Sequence, residues 1–178
     1  MFYITNKNYF EMATILKSTE REFQENQNKI DNFRLFSDVT RIKKGINPQN
    51  LNFDLWQLNP GQFSAPYHFH HNAEELFMVI SGAMTLRTNE GLEIVNCGDL
   101  IFFEMGKTGA HQFYNHTEEP CVYLDVRTFT GCDICEYPDS NKLLIFPSRG
   151  IYSMEDRKNY FDGEENPKQR WDKIENRK

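Results

Sequence analysis

Residues 61–82 read Gly61-QFSAPY-His68-Phe69-His70-HNAE-Glu75-LFMVIS-Gly82. His68 and His70 are two apart, so an extended strand projects both imidazoles to one face. His71 then points to the opposite face and reads as a solvated or interface histidine. Glu75 opens an apolar strand whose alternation puts Glu75, Phe77 and Val79 on one side and Leu76, Met78 and Ile80 on the other. Glu74 is the rival carboxylate. The six-residue interval from Glu75 to Gly82, and the inward side shared with Phe77 and Val79, favour Glu75.

Some thirty residues downstream the chain turns at Gly98-Asp99, runs through Leu100–Phe103, and continues as Gly106-KTGA-His111-QFY-Asn115. His111, Phe113 and Asn115 share a strand face. All five histidines fall between residues 68 and 116. Three imidazoles (His68, His70, His111) and one carboxylate (Glu75), carried on strands, form a ligand set for a divalent transition metal. Neutral imidazole suits Fe, Mn, Co, Ni, Cu and Zn, and the carboxylate shifts preference toward harder ions. Four protein ligands around a six-coordinate ion leave two positions for a small molecule, and the lack of thiolate argues against a closed structural zinc site. His116 reads as a surface residue, and Asn115 as a turn or barrel-bracing residue.

These two stretches resemble the paired motifs of the cupin superfamily. The first motif runs Gly, five residues, His-x-His, three or four residues, Glu, six residues, Gly; here six residues precede His68. The second runs Gly, five residues, Pro-x-Gly, two residues, His, three residues, Asn. Here Glu104 stands in place of the Pro, and two extra residues precede His111. Both departures spare the four ligands. The loop GKTGAH and the string EYPDSNK (136–142) are similar to a group of small bacterial cupins often labelled sugar-phosphate isomerase-like. The resemblance implies an all-β double-stranded β-helix, a jelly-roll-like barrel, over about residues 51–130.

The surrounding sequence agrees with an all-β reading. Short apolar runs at 51–58, 75–80, 83–88, 92–96, 100–104, 111–115 and 121–129 alternate with turn signals, as in a sandwich or barrel. Residues 9–30 read as a helix on the stripe Met12, Ile15, Leu16 and Phe23, so residues 1–50 are expected as an N-terminal helical extension. Residues 131–178 are expected as a C-terminal extension docked on the barrel through Tyr160, Phe161 and Trp171, with a short helix near Gln169–Ile174. Strands 75–80 and 100–103 are apolar on both faces. The barrel exterior therefore needs a cover: the N-terminal helix, the C-terminal segment or the second subunit of a homodimer.

At 178 residues, 39% of them apolar, the chain can bury a core without disulfides. The longest apolar runs are five and four residues, too short to span a membrane. The N-terminus lacks the basic-then-apolar pattern of a secretory signal, so the expected compartment is the cytoplasm. Residues 51–154 hold 5 Lys or Arg against 13 Asp or Glu. A centre this acidic is a poor partner for a phosphate backbone and speaks against nucleic acid. Cys97, Cys121, Cys132 and Cys135 are expected as reduced thiols, the lone C-x-x-C pair included. The strand Cys121–Arg127 sets Cys121, Tyr123, Asp125 and Arg127 against Val122, Leu124 and Val126. If the polar set faces the pocket, Tyr123 is a candidate acid or orienting donor and Arg127 a candidate clamp for an anion; if it faces outward, Asp125 and Arg127 are a surface ion pair. Trp56, Gln57, Phe63 and Tyr67 are candidates for the pocket mouth.

The reading that follows is a metal-binding protein, its ion being Fe, Mn, Ni or Zn. It would be an enzyme of isomerase, lyase or dioxygenase type acting on a small polar molecule. The alternative is a non-catalytic barrel that senses or stores a small ligand.

Overall fold

The computed structural model describes residues 13–26 and 30–175. Its strands are β1 (Phe23–Glu25), β2 (Leu35–Asp38), β3 (Leu51–Leu58), β4 (Phe69–His70), β5 (Glu75–Ser81), β6 (Ala83–Thr88), β7 (Gly91–Asn96), β8 (Leu100–Phe103), β9 (Gln112–Tyr114), β10 (Cys121–Thr128), β11 (Asp133–Tyr137), β12 (Lys142–Phe146) and β13 (Gly150–Ser153). Two helices, α1 (Thr40–Lys43) and α2 (Pro167–Glu175), flank the barrel strands. The sheets are antiparallel, in the orders β1-β2-β3-β10-β5-β8, β13-β12-β11-β4 and β7-β6-β9. No described helix is long and apolar enough to cross a membrane.

Every strand expected between residues 51 and 129 forms within a residue or two of its expected bounds. The period-2 alternation decides which side chains go in. Phe77 and Val79 of β5, Met84 and Leu86 of β6, and Phe113 of β9 are buried, and they meet Leu58, Phe103, Cys121 and Tyr123 in one cluster. Each large apolar side chain so buried contributes about 1.5–3 kcal/mol.

The N-terminal extension differs from expectation. In place of a helix over 9–30, the described part holds a single 3-10 turn (Ser18–Glu20) and then β1, which pairs with β2 through Phe23↔Asp38, Gln24↔Ser37 and Glu25↔Phe36. Residues 9–12 and 27–29 of that expected helix lie outside the described residues. Pairing to a sheet edge wins over the helical spacing, because a narrow stripe with one exposed member, Ile15, has little to bury. After Gly131, where the sequence loses regularity, β11, β12 and β13 form a meander, and β11 pairs with β4. The distal tail is less engaged: Tyr160, Phe161 and Trp171 are exposed, Tyr160 at 90%. The outer face of β5 and β8 is not covered by the described extensions; Leu100 and Phe102 are 66% and 56% exposed.

Gly82 follows β5 at φ +78°, a backbone state costly for residues with a Cβ. A Cβ there would lie 2.9 Å from the Pro120 carbonyl oxygen and 3.1 Å from the Cys121 Cα. This glycine thus lets the β5–β6 corner sit against the start of β10. Gly82→Ala is expected to lower stability by about 1–3 kcal/mol in denaturant unfolding, while Ser81→Ala, at an exposed neighbour, changes it by less than about 0.5 kcal/mol.

Candidate metal centre

Backbone pairing brings the two distant histidine segments together. His68 and His111 form an antiparallel bridge, with His111 N–H donating to His68 O at 2.9 Å and His68 N–H to His111 O at 3.2 Å. β4 then carries His70 alongside β11, with His70 opposite Cys135. Glu75 enters at the start of β5, opposite Arg127 of β10 and Phe103 of β8. Glu75 is 3% exposed and His111 2%, whereas Glu74 is half-buried.

Each imidazole is fixed through Nδ1. His68 Nδ1 lies 2.8 Å from the Pro66 carbonyl and His111 Nδ1 2.9 Å from the Gly109 carbonyl. His70 Nδ1 contacts a carboxylate oxygen of Asp133. An acceptor at Nδ1 places the proton there and leaves Nε2 as a lone pair, the arrangement that orients histidine ligands at metal sites. Nε2 of His70 lies 3.4 Å from Glu75 Oε1, and Nε2 of His111 lies 3.5 Å from Glu75 Oε2. His68, Glu75 and His111 each offer a ligand atom within 4.8 Å of the others, and His68, His70 and Cys135 do likewise. Burial, reinforced by its neighbours His111 and His70, holds the His68 imidazole well below its ordinary titration range, and burial lowers that of His111. Both rings are therefore neutral near pH 7, the protonation state in which they can bind a cation. His111 is further clamped by Phe103, stacked at 3.8 Å between ring centroids.

The donor set fits a divalent transition ion: nitrogen lone pairs, each oriented by an acceptor at Nδ1 behind it, and one buried carboxylate. Asp133 is such a partner. Burial alone would raise its carboxyl, but hydrogen bonds from His70 and from the backbone N–H groups of Asn72 and Ile134 outweigh this and hold it below the usual range. Asp133 therefore stays an anion at neutral pH.

The cluster opens into a cavity of about 220 Å³ lined by His68, Glu75 and His111 together with Trp56, Tyr123, Asp125 and Arg127. The polar side of β10 thus faces inward. Arg127 Nη1 lies 3.7 Å from Glu75 Oε1 and 3.5 Å from His70 Nε2. Tyr123 is buried, which pushes its phenol well above the ordinary value and keeps it a donor. A larger cavity, about 320 Å³, shares Arg127 but none of the histidines.

Other candidates fall elsewhere. Of the four residues considered for the mouth, Trp56 lines the cavity. Gln57 bonds Asn59, Phe63 packs on Tyr114, and the Tyr67 ring lies under Arg87. His71 is exposed and bonds Glu136, and His116 bonds Thr85. Asn115 is fully buried and braces the loop, donating to Leu58 O and Glu119 O and accepting from Thr117. Asp133, Cys135 and Tyr137 were not anticipated from sequence; their signal was the alternation Asp133, Cys135, Tyr137 against Ile134 and Glu136. Tyr137 stacks on His68 at 5.8 Å.

The fold and this geometry are those of a cupin. The cupin domain family matches residues 54–127, from within β3 to near the end of β10, and the chain has the all-β cupin fold. It is similar to a solved structure from Acidithiobacillus ferrooxidans, provisionally named a sugar phosphate isomerase (23% identity, 82% of this chain and 95% of that one, TM-score 0.70). A structure named sugar phosphate isomerase from Silicibacter pomeroyi is similar at 23% identity, over 84% of this chain and 98% of that one, with a TM-score of 0.69. The polyketide cyclase RemF of Streptomyces resistomycificus matches at 19% identity over 66% of this chain and 80% of its own, with a TM-score of 0.52. At these identities the likeness is one of fold. No curated protein matches the chain in sequence.

Two outcomes are expected here. Asp133→Asn should weaken divalent-metal affinity about 10–100-fold in chelator competition, with the fold retained by circular dichroism. Cys97 and Cys132 are exposed, while burial pushes the Cys121 thiol up to about 11 and that of Cys135 to about 12. The native protein at pH 8 should therefore show two rapidly reacting thiols with an aromatic disulfide reagent and four after denaturation.

Proposed function

We propose that His68, His70, Glu75 and His111 hold one divalent transition metal, and that the protein is a metal-dependent enzyme of isomerase or lyase type acting on a small, polar, oxygen-rich molecule. The observation that carries this is the set of three Nδ1-anchored imidazoles gathered around a buried carboxylate, with His68, His111 and Glu75 lining one cavity and His70 Nε2 3.4 Å from Glu75. Once bound, such an ion supplies Lewis acidity to ligand oxygens.

The chain's own residues supply the rest. Arg127, reaching the cluster from β10, can hold a carboxylate, phosphate or other anionic oxygen beside it. Tyr123 stays protonated and can donate to a ligand oxygen. Trp56, Phe77 and Leu35 wall the cavity with apolar surface, excluding water and strengthening each of these polar contacts. The isomerase and lyase reading is favoured over oxygen chemistry by the number of groups able to hold or move a proton around the cluster. The sugar phosphate isomerase names of two similar structures accord with a ligand that is small, hydroxylated and anionic.

Protein purified without a histidine tag should contain about one equivalent of divalent metal by elemental analysis. His68→Ala and His111→Ala should each lower that affinity more than about 100-fold. The loaded protein should interconvert members of an aldose and ketose phosphate panel, and activity should vanish on chelation. Failure to take up metal would overturn the reading; uptake without turnover on isomerase and lyase panels would favour the non-catalytic ligand-binding alternative.

A further inference from the structure

Cross-strand register stacks the inner side chains of β3, β10 and β5 in rungs. Asn52, Arg127 and Glu75 form one rung, and Asp54, Asp125 and Phe77 form the next. Two rungs therefore bring three carboxylates, Glu75, Asp54 and Asp125, to one interior. Two of them have a cation in contact: Arg127 stands 3.7 Å from Glu75, and Arg41 Nη2 lies 2.7 Å from Asp54. Asp125 is different. Its Oδ2 accepts from Trp56 Nε1 at 3.2 Å, but its Oδ1 is buried with no hydrogen-bond partner among the described residues.

Among the described residues Oδ1 is the one buried side-chain polar atom left unpaired, and it belongs to a residue lining the cavity that the histidines share. A buried acceptor without a donor is expensive, because the desolvation is not recovered by a bond. The arrangement persists without cost to function if a ligand brings the donor.

We infer that Asp125 receives a hydroxyl group of the molecule bound at the histidine cluster and so selects hydroxylated ligands. This rests on the metal-site reading above. A hydroxyl fits better than an ammonium group, since Arg127 in the same cavity repels a second cation. A hydroxyl can also either donate or accept. That freedom suits a carboxyl which burial, reinforced by Glu75, pushes upward from its ordinary range against the opposing influence of Arg127 and the Trp56 N–H. The cavity, about 220 Å³, lies below the roughly 300–1,000 Å³ of sites for drug-sized ligands. The ligand is therefore small, with an oxygen pair at the cluster and a further hydroxyl one rung deeper.

Glycerate and lactate test this. Both offer the same hydroxy-carboxylate pair to a metal, and they differ in the hydroxyl at the third carbon. Zinc uptake by the full-length protein is measured first, then binding of each acid to the zinc-loaded form by titration calorimetry. Glycerate should bind wild type about 10-fold or more tightly than lactate. Asp125→Ala should abolish that preference while leaving lactate affinity within about threefold. In the metal-free protein Asp125→Asn should raise the melting temperature, since it keeps an acceptor for Trp56 and removes the carboxyl oxygen that has no donor. A preference that survives in Asp125→Ala, or is absent from wild type, overturns the inference and leaves the metal site standing, as does a lower melting temperature for Asp125→Asn. Absence of zinc uptake overturns the metal-site reading and this inference with it.

Discussion

The site depends on a constraint applied behind the ligands: each of three imidazoles is held at Nδ1 by an acceptor the fold supplies. Two of those acceptors are backbone carbonyls, of Pro66 and Gly109, close to the bridge that joins residues 68 and 111. The third is the carboxylate of Asp133. A ring anchored at one nitrogen has one remaining direction for its other lone pair. The barrel therefore fixes tautomer and aim together. Remove the 68–111 bridge and both carbonyl anchors lose their geometry, even with every ligand still in the sequence.

The rest of the architecture positions groups around that cluster. β5 delivers Glu75 into the interior because its alternation buries Phe77 and Val79 on the same side. β10, lying between β3 and β5, presents Tyr123, Asp125 and Arg127 to the cavity. The late meander closes the arrangement, since β11 pairs with β4 and brings both Asp133 and Cys135 to His70. Residues beyond 130 thus take part in holding the histidine pair.

Much of this was legible in the sequence. His68 and His70 two apart, Glu75 at a fixed interval before Gly82, and His111 four before Asn115 are local spacings, and period-2 geometry converts them directly into faces. The strands from 51 to 129 were legible for the same reason. What was not legible depends on partners far along the chain. The spacing of Met12, Ile15, Leu16 and Phe23 reads as helical, yet Phe23 gains more by pairing with β2. Asp133 and Cys135 sit in a polar stretch, Gly131-CDICEYPD, whose strand character comes from pairing with β4 and β12. Asp125 was visible as an alternating polar residue, but which way its strand faced was decided only by the sheet.

Arg127 has one more consequence. Its guanidinium already stands beside Glu75 and His70, so the interior carboxylate has a resident positive neighbour when no cation is bound. On the proposed metal-site reading, loading the cluster is an exchange of counter-charge rather than the first neutralisation of a naked anion, and the barrel can form without the ion. On that reading folding and metal uptake are separable events, linked through the Arg127 side chain.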